Sequence, residues 1–128
     1  MNPCANKTIK KMKDSISDHQ FLEQIEMEIT QDSLELIRNL RVALADFSTF
    51  PRRNPECILP SDHIESDLGI HPLDSMDLVD LAASIETETL RLQPEDYKMI
   101  VELNQRDGTV KEFAILILNA LCRTTQKQ

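Results

Sequence analysis

Two glycines in 128 residues, Gly69 and Gly108, set the first limit on what this chain can fold into. Tight β-hairpins need residues that accept positive φ, and a sandwich or barrel needs many of them. A chain this poor in glycine is not expected to form either, and with no convincing strand candidate an all-α fold is expected. The two glycines are also too far apart to build a glycine-rich phosphate loop.

The apolar pattern agrees. Phe21, Leu22, Ile25 and Ile29 recur at helical spacing, and Leu34, Ile37, Leu40, Leu44 and Phe47 continue the series. This predicts one long helix, with or without an interruption, over about 19–47, with Ser17 or Asp18 as its cap. Two helices broken near Thr30 and Gln31 are the alternative. Pro51, Pro55 and Pro60 then impose a long irregular loop over 48–63, anchored by Ile58, Leu59 and Ile64. A second helix is predicted over about 75–90. Met76, Val79, Ala82 (or Ala83) and Ile85 share its apolar face, while Asp77, Asp80, Glu86 and Glu88 fall on the others. Pro94 opens a helix over about 94–104 that buries Tyr97, Ile100, Val101 and Leu103. Asp107-Gly108 is a turn, and Thr109 caps a last helix over about 110–122. The expected core is Leu36, Ile37, Leu40, Leu44, Phe47, Val79, Ala82, Ile85, Ile100, Phe113, Ile117 and Leu121.

Composition narrows the function. The formal net charge is -8, Trp is absent and aromatic residues are 4%. Neither a phosphate-backbone footprint nor a base-stacking platform is expected, so no nucleic-acid partner is. Acidity is concentrated over 62–104, while residues 1–13 carry four lysines (Lys7, Lys10, Lys11, Lys13) and no acid. Those lysines precede no apolar stretch, so no secretory signal is expected, and no run is long enough for a membrane span. Cys4, Cys57 and Cys122 are scattered and read as three reduced thiols in a cytoplasmic protein. His19, His63 and His71 are not clustered, so no metal site is expected. No residue set supplies nucleophile, base and oxyanion donors together, so the chain is not expected to be an enzyme.

One stretch stands out: Asp67-Leu68-Gly69-Ile70-His71-Pro72-Leu73-Asp74-Ser75-Met76-Asp77-Leu78-Val79-Asp80-Leu81. It resembles the acyl carrier protein family, in which a leucine-glycine pair is followed by Asp-Ser-Leu (or Met) opening an acidic amphipathic helix. The resemblance covers about 30–122, and Thr109-Val110 looks like the opening of the family's last helix. It implies an acyl-carrier-like four-helix bundle, three main helices and one shorter, with a long loop after the first. It implies a basic, partly flexible N-terminal extension over 1–29 that can run into the first helix, a carrier domain over 30–122 and a tail over 123–128. By the same resemblance, Ser75, flanked by Asp74, would carry 4'-phosphopantetheine, delivered from coenzyme A by a separate phosphopantetheinyl transferase. The arm would hold acyl intermediates as thioesters in fatty acid, lipid or related biosynthesis. Met76, Asp77, Asp80, Glu86 and Glu88 would meet basic docking patches on acyl-transferring or synthase enzymes. Independently of the resemblance, the apolar faces suffice for one bundle, so a monomer is expected.

The chain departs from that family where Ile70, His71, Pro72, Leu73 and Asp74 lengthen the path from Gly69 to Ser75. A second Asp-Ser-Leu, at Asp32-Ser33-Leu34, lacks the leucine-glycine loop and is expected at the start of, or inside, the first helix. Two alternatives accompany the carrier reading: a carrier of aminoacyl or polyketide units, and an unmodified helical adaptor that binds a basic partner through its acidic helix.

Overall fold

A computed structural model describes residues 15–49 and 54–126. Five helices and no β-strands are present among them: α1 (Asp18–Gln24), α2 (Gln31–Phe47), α3 (Ser75–Ile85), α4 (Pro94–Gln105) and α5 (Val110–Gln126), with a 3-10 turn at Pro55–Cys57. α2 is the centre, packing against α1, α3, α5 and the 3-10 turn, while α4 packs on α5. Every expected core residue is buried except two: Phe47 is half-buried and Val79 is exposed. Tyr97 and Val101 are half-buried rather than buried.

The single long first helix is not formed. Glu26 takes φ 59°, in the left-handed region, and Met27 N–H donates to the Leu22 carbonyl at 3.1 Å. That closure ends α1. Thr30 and Ser33 then cap α2 reciprocally: Ser33 N–H donates to Thr30 Oγ1 (3.0 Å) and Thr30 N–H to Ser33 Oγ (2.7 Å). α1, begun by Ser17, sends Phe21 and Leu22 fully into the common core. Residues of the expected extension are thus part of the packing.

Arg41, also fully buried, ties this corner together. Its Nη1 donates to Asp18 Oδ1 at 2.9 Å, its Nε to the Ile58 carbonyl, and its Nη2 to the carbonyls of Ile16 and Glu56. Its guanidinium carbon sits 5.0 Å from the Phe21 ring centroid. Burial pulls the guanidinium below its ordinary pKa, opposed by the hydrogen bond and charge of Asp18.

The proline-rich connection is held to the start of α5. Val110 N–H donates to Asp62 O and Lys111 N–H to Pro60 O, both at 2.8 Å, so two amides of the first turn find partners. Ile58 and Ile64 are buried as anchors and Leu59 is half-buried. Thr109 caps α5, reciprocally with Glu112, and α5 runs beyond the expected end at 122.

Cys57 corrects the thiol expectation. It is 2% exposed and disulfide-bonded. Cys122 is exposed on α5, and the reading of Cys4 lies outside the described residues.

Candidate functional site

The path to Ser75 is fixed at both ends. Gly69 takes φ 71°, its N–H donates to Glu65 O at 2.9 Å, and its carbonyl accepts from Thr49 Oγ1 at 2.7 Å. Ser48 Oγ and Thr49 N–H both donate to the Leu68 carbonyl, joining this loop to the end of α2. Ile70 is buried, and its N–H donates to Ile64 O at 3.1 Å. At the far end, Leu73 N–H donates to Asn104 Oδ1 of α4 at 2.8 Å. Only His71 and Pro72 between them are exposed, and His71 Nδ1 lies 3.9 Å from Glu65 Oε2. The lengthened segment is therefore a tethered path.

Asp74 is the N-cap of α3, its Oδ1 accepting the Asp77 N–H at 2.8 Å. Ser75 follows as the first helical residue and is exposed. Its hydroxyl, its amide and the Met76 amide have no hydrogen-bond partner among the described residues. Unpaired amides at a helix N-terminus and the positive end of its dipole suit a phosphate ester on this oxygen. Ser33, by contrast, is buried, and its Oγ donates to the carbonyls of Glu28 and Thr30.

The helix behind Ser75 differs from expectation in register and length. Leu78, Leu81, Ala82 and Ile85 face the core, while Met76 is 75% and Val79 60% exposed. α3 has more apolar positions than one stripe can use, so spacing alone admits both registers. It ends at Ile85 because side chains compete for the backbone. Thr87 Oγ1 accepts from the Thr89 and Leu90 amides, and Glu86 Oε2 accepts the Leu92 N–H at 2.9 Å. Glu86 and Glu88 are therefore not on the helix, and Glu86 is half-buried and engaged in this turn. Asp77 (half-buried) and Asp80 (exposed) remain beside Met76 and Val79. The surface next to Ser75 is thus two bare apolar side chains among carboxylates.

Two grooves exist elsewhere. One of about 300 Å³ lies between α4 and α5, lined by Met99, Leu103, Arg106 and Leu116 among others. Another, of about 240 Å³, is lined by Met27, Ser33, Leu118 and Cys122 with their neighbours. Neither is lined by α3. Among the described residues there is no group of three or more His, Cys, Asp or Glu that could hold a metal ion, and no helix long and apolar enough to cross a membrane.

Nothing in the residue pattern points to Asn104. It is 3% exposed, and its Nδ2 has no hydrogen-bond partner among the described residues. An orphaned buried donor costs about 1–3 kcal/mol. Nor was the carboxylate of Asp107 foreseen, which accepts from the amides of Glu65 and Ser66 and from Ser66 Oγ. The Ser66 hydrogen bond, foremost, holds the Asp107 carboxyl below its ordinary pKa.

Compared with known proteins, the chain matches no family model, no curated protein and no solved structure.

Proposed function

We propose that this chain is an acyl carrier, with Ser75 bearing 4'-phosphopantetheine in fatty acid, lipid or related biosynthesis. The observation that carries this reading is the exposed Ser75 hydroxyl heading α3, with Asp74 as cap and, beside it, two amides that have no hydrogen-bond partner among the described residues. The order of α2, a long connection and α3 to α5 also agrees with the carrier resemblance.

In the loading step, Ser75 Oγ attacks the phosphopantetheine phosphorus of the coenzyme A pyrophosphate. A P–O bond forms, the P–O bond to adenosine 3',5'-bisphosphate breaks, and the serine proton passes to a base of the transferase. The α3 N-terminus stabilises the phosphodiester charge. The thiol of the arm supplies the thioester chemistry, and the tether raises the cargo's effective concentration at each partner enzyme. Met76 and Val79 give a partner an apolar contact. Asp77 and Asp80 favour fast, salt-sensitive encounters with basic patches. A carrier of aminoacyl or polyketide units would use the same geometry.

The same exposed apolar pair among carboxylates also favours a second reading, an unmodified adaptor for a basic partner. One experiment separates them: incubation with coenzyme A, magnesium and a broad-specificity phosphopantetheinyl transferase, read by intact mass. A single phosphopantetheine adduct, lost in Ser75→Ala, is the result expected of a carrier. No adduct on the folded protein, also with a transferase from its own source, leaves the adaptor.

A further inference from the structure

We infer that Asn104 is a positioning residue for Ser75, setting from the neighbouring helix α4 the path by which the serine is presented. The inference rests on the carrier reading of Ser75.

The argument begins with the orientation of one amide. Leu73 offers an N–H, so the Asn104 atom 2.8 Å away must be the carbonyl oxygen. That fixes the side chain and leaves Nδ2 pointing away from its one partner, buried and without an acceptor among the described residues. For stability alone the arrangement is no better than leucine, which has nearly the same shape and would orphan the Leu73 N–H in place of Nδ2. What asparagine supplies and leucine cannot is the grip on the Leu73 N–H. That grip falls immediately before Asp74, the N-cap of α3, and two residues before Ser75.

No other hydrogen bond among the described residues holds the backbone of His71, Pro72 or Leu73. The upstream anchors, at Gly69 and Ile70, lie on the far side of the exposed His71-Pro72 pair. Asn104 is therefore the polar tether nearest to the cap. Without it the half-buried Leu73 side chain still anchors by apolar contact, but the direction in which the chain enters α3 is less constrained. Group transfer to a serine oxygen depends steeply on such placement, and an ångström of displacement costs up to about a hundredfold in rate.

The test compares the full chain with Asn104→Leu and Asn104→Asp. Three quantities are measured: the initial rate of phosphopantetheine transfer from coenzyme A by a broad-specificity transferase, the thermal midpoint, and hydrogen exchange at the Leu73 amide. For Asn104→Leu the rate falls about tenfold or more and the Leu73 amide exchanges faster, while the midpoint changes little. Asn104→Asp keeps an acceptor for Leu73 and retains most of the rate. If Asn104→Leu does not fold, Asn104→Ser, too short to reach Leu73, takes its place under the same criteria. A variant modified at the parent rate overturns the inference and leaves the carrier reading intact. So does a rate that falls only in proportion to the unfolded fraction. A parent protein that is never modified overturns both.

Discussion

Arg41 and Asp18, 23 positions apart in sequence, are joined by a hydrogen bond of 2.9 Å from a guanidinium that has no contact with solvent. The same guanidinium collects carbonyls from Ile16, Glu56 and Ile58. A buried charge is tolerated only when its partners are complete. Here their completion fixes α1, α2 and the 3-10 turn to one another.

Replacing Arg41 by Met leaves Asp18 and three carbonyls without their donor. The expected loss is about 3 kcal/mol of stability. Asp18→Asn keeps an acceptor and is expected to lose less. Urea denaturation of the three proteins decides it, and equal midpoints for Arg41→Met and the parent would show that the node contributes nothing.

Gly108 has no room for a side chain: an added Cβ would collide with Leu103 Cδ1. Its amide donates to Leu103 O and its carbonyl accepts from Ile64 N, so the backbone cannot simply withdraw. Gly108→Ala is expected to destabilise by about 1–3 kcal/mol through overpacking. In the Leu103→Ala background the same substitution should cost less, because the obstructing methyl is gone. An undiminished cost in the double variant, read by thermal denaturation, would place the strain elsewhere.

Asp107 links stability to acid pH. Its carboxyl lies below the ordinary value of 3.8 in the folded chain, chiefly through the Ser66 hydrogen bond. The unfolded chain therefore binds its proton first as pH falls. The contribution is complete above the ordinary carboxylate range and is lost as pH drops through the folded value. Asp107→Asn keeps an acceptor at Oδ1 and suits the observed φ of 55°. The stability difference between parent and variant should then shrink between about pH 5 and pH 2. Parallel curves over that range would refute the linkage.

The disulfide at Cys57 is checked by alkylating the denatured, unreduced protein. Cys57 is expected to escape alkylation before treatment with a dithiol and to be alkylated after it. Three groups before reduction would restore the reduced-thiol reading. The outcome also bears on compartment, since a stable disulfide and an ordinary reducing cytosol do not go together.

The class and most of the helices were legible because they depend on local rules. Pro94 at a first helical position, the Asp107-Gly108 turn and the Thr109 cap each announce themselves within a few residues. The α1–α2 break was legible only as the alternative near Thr30 and Gln31, where α2 does begin; the end of α1 was not, because Glu26 adopts a left-handed conformation that usually belongs to glycine or asparagine. The register of α3 was ambiguous because Met76 and Val79 continue the helical spacing as well as Leu78 and Leu81 do. Ser75 and Asp74 stand where the pattern put them, at the head of a helix. Glu86 was drawn off that helix by a bond to the Leu92 amide. Asn104 was invisible because its partner lies 31 residues away and is a backbone N–H, which no side-chain pattern encodes.

Phe21 and Leu22 have no exposed surface, and Ile25 lies beside them in the same core. A protein cut at residue 30 would keep the whole serine-bearing region and lose those side chains together with Asp18. It would open an apolar trough along α2 and strand the Arg41 charge at its rim. The folding unit of this chain thus includes α1. A shortened form that sticks to itself would report a missing wall of the core rather than a natural tendency to associate.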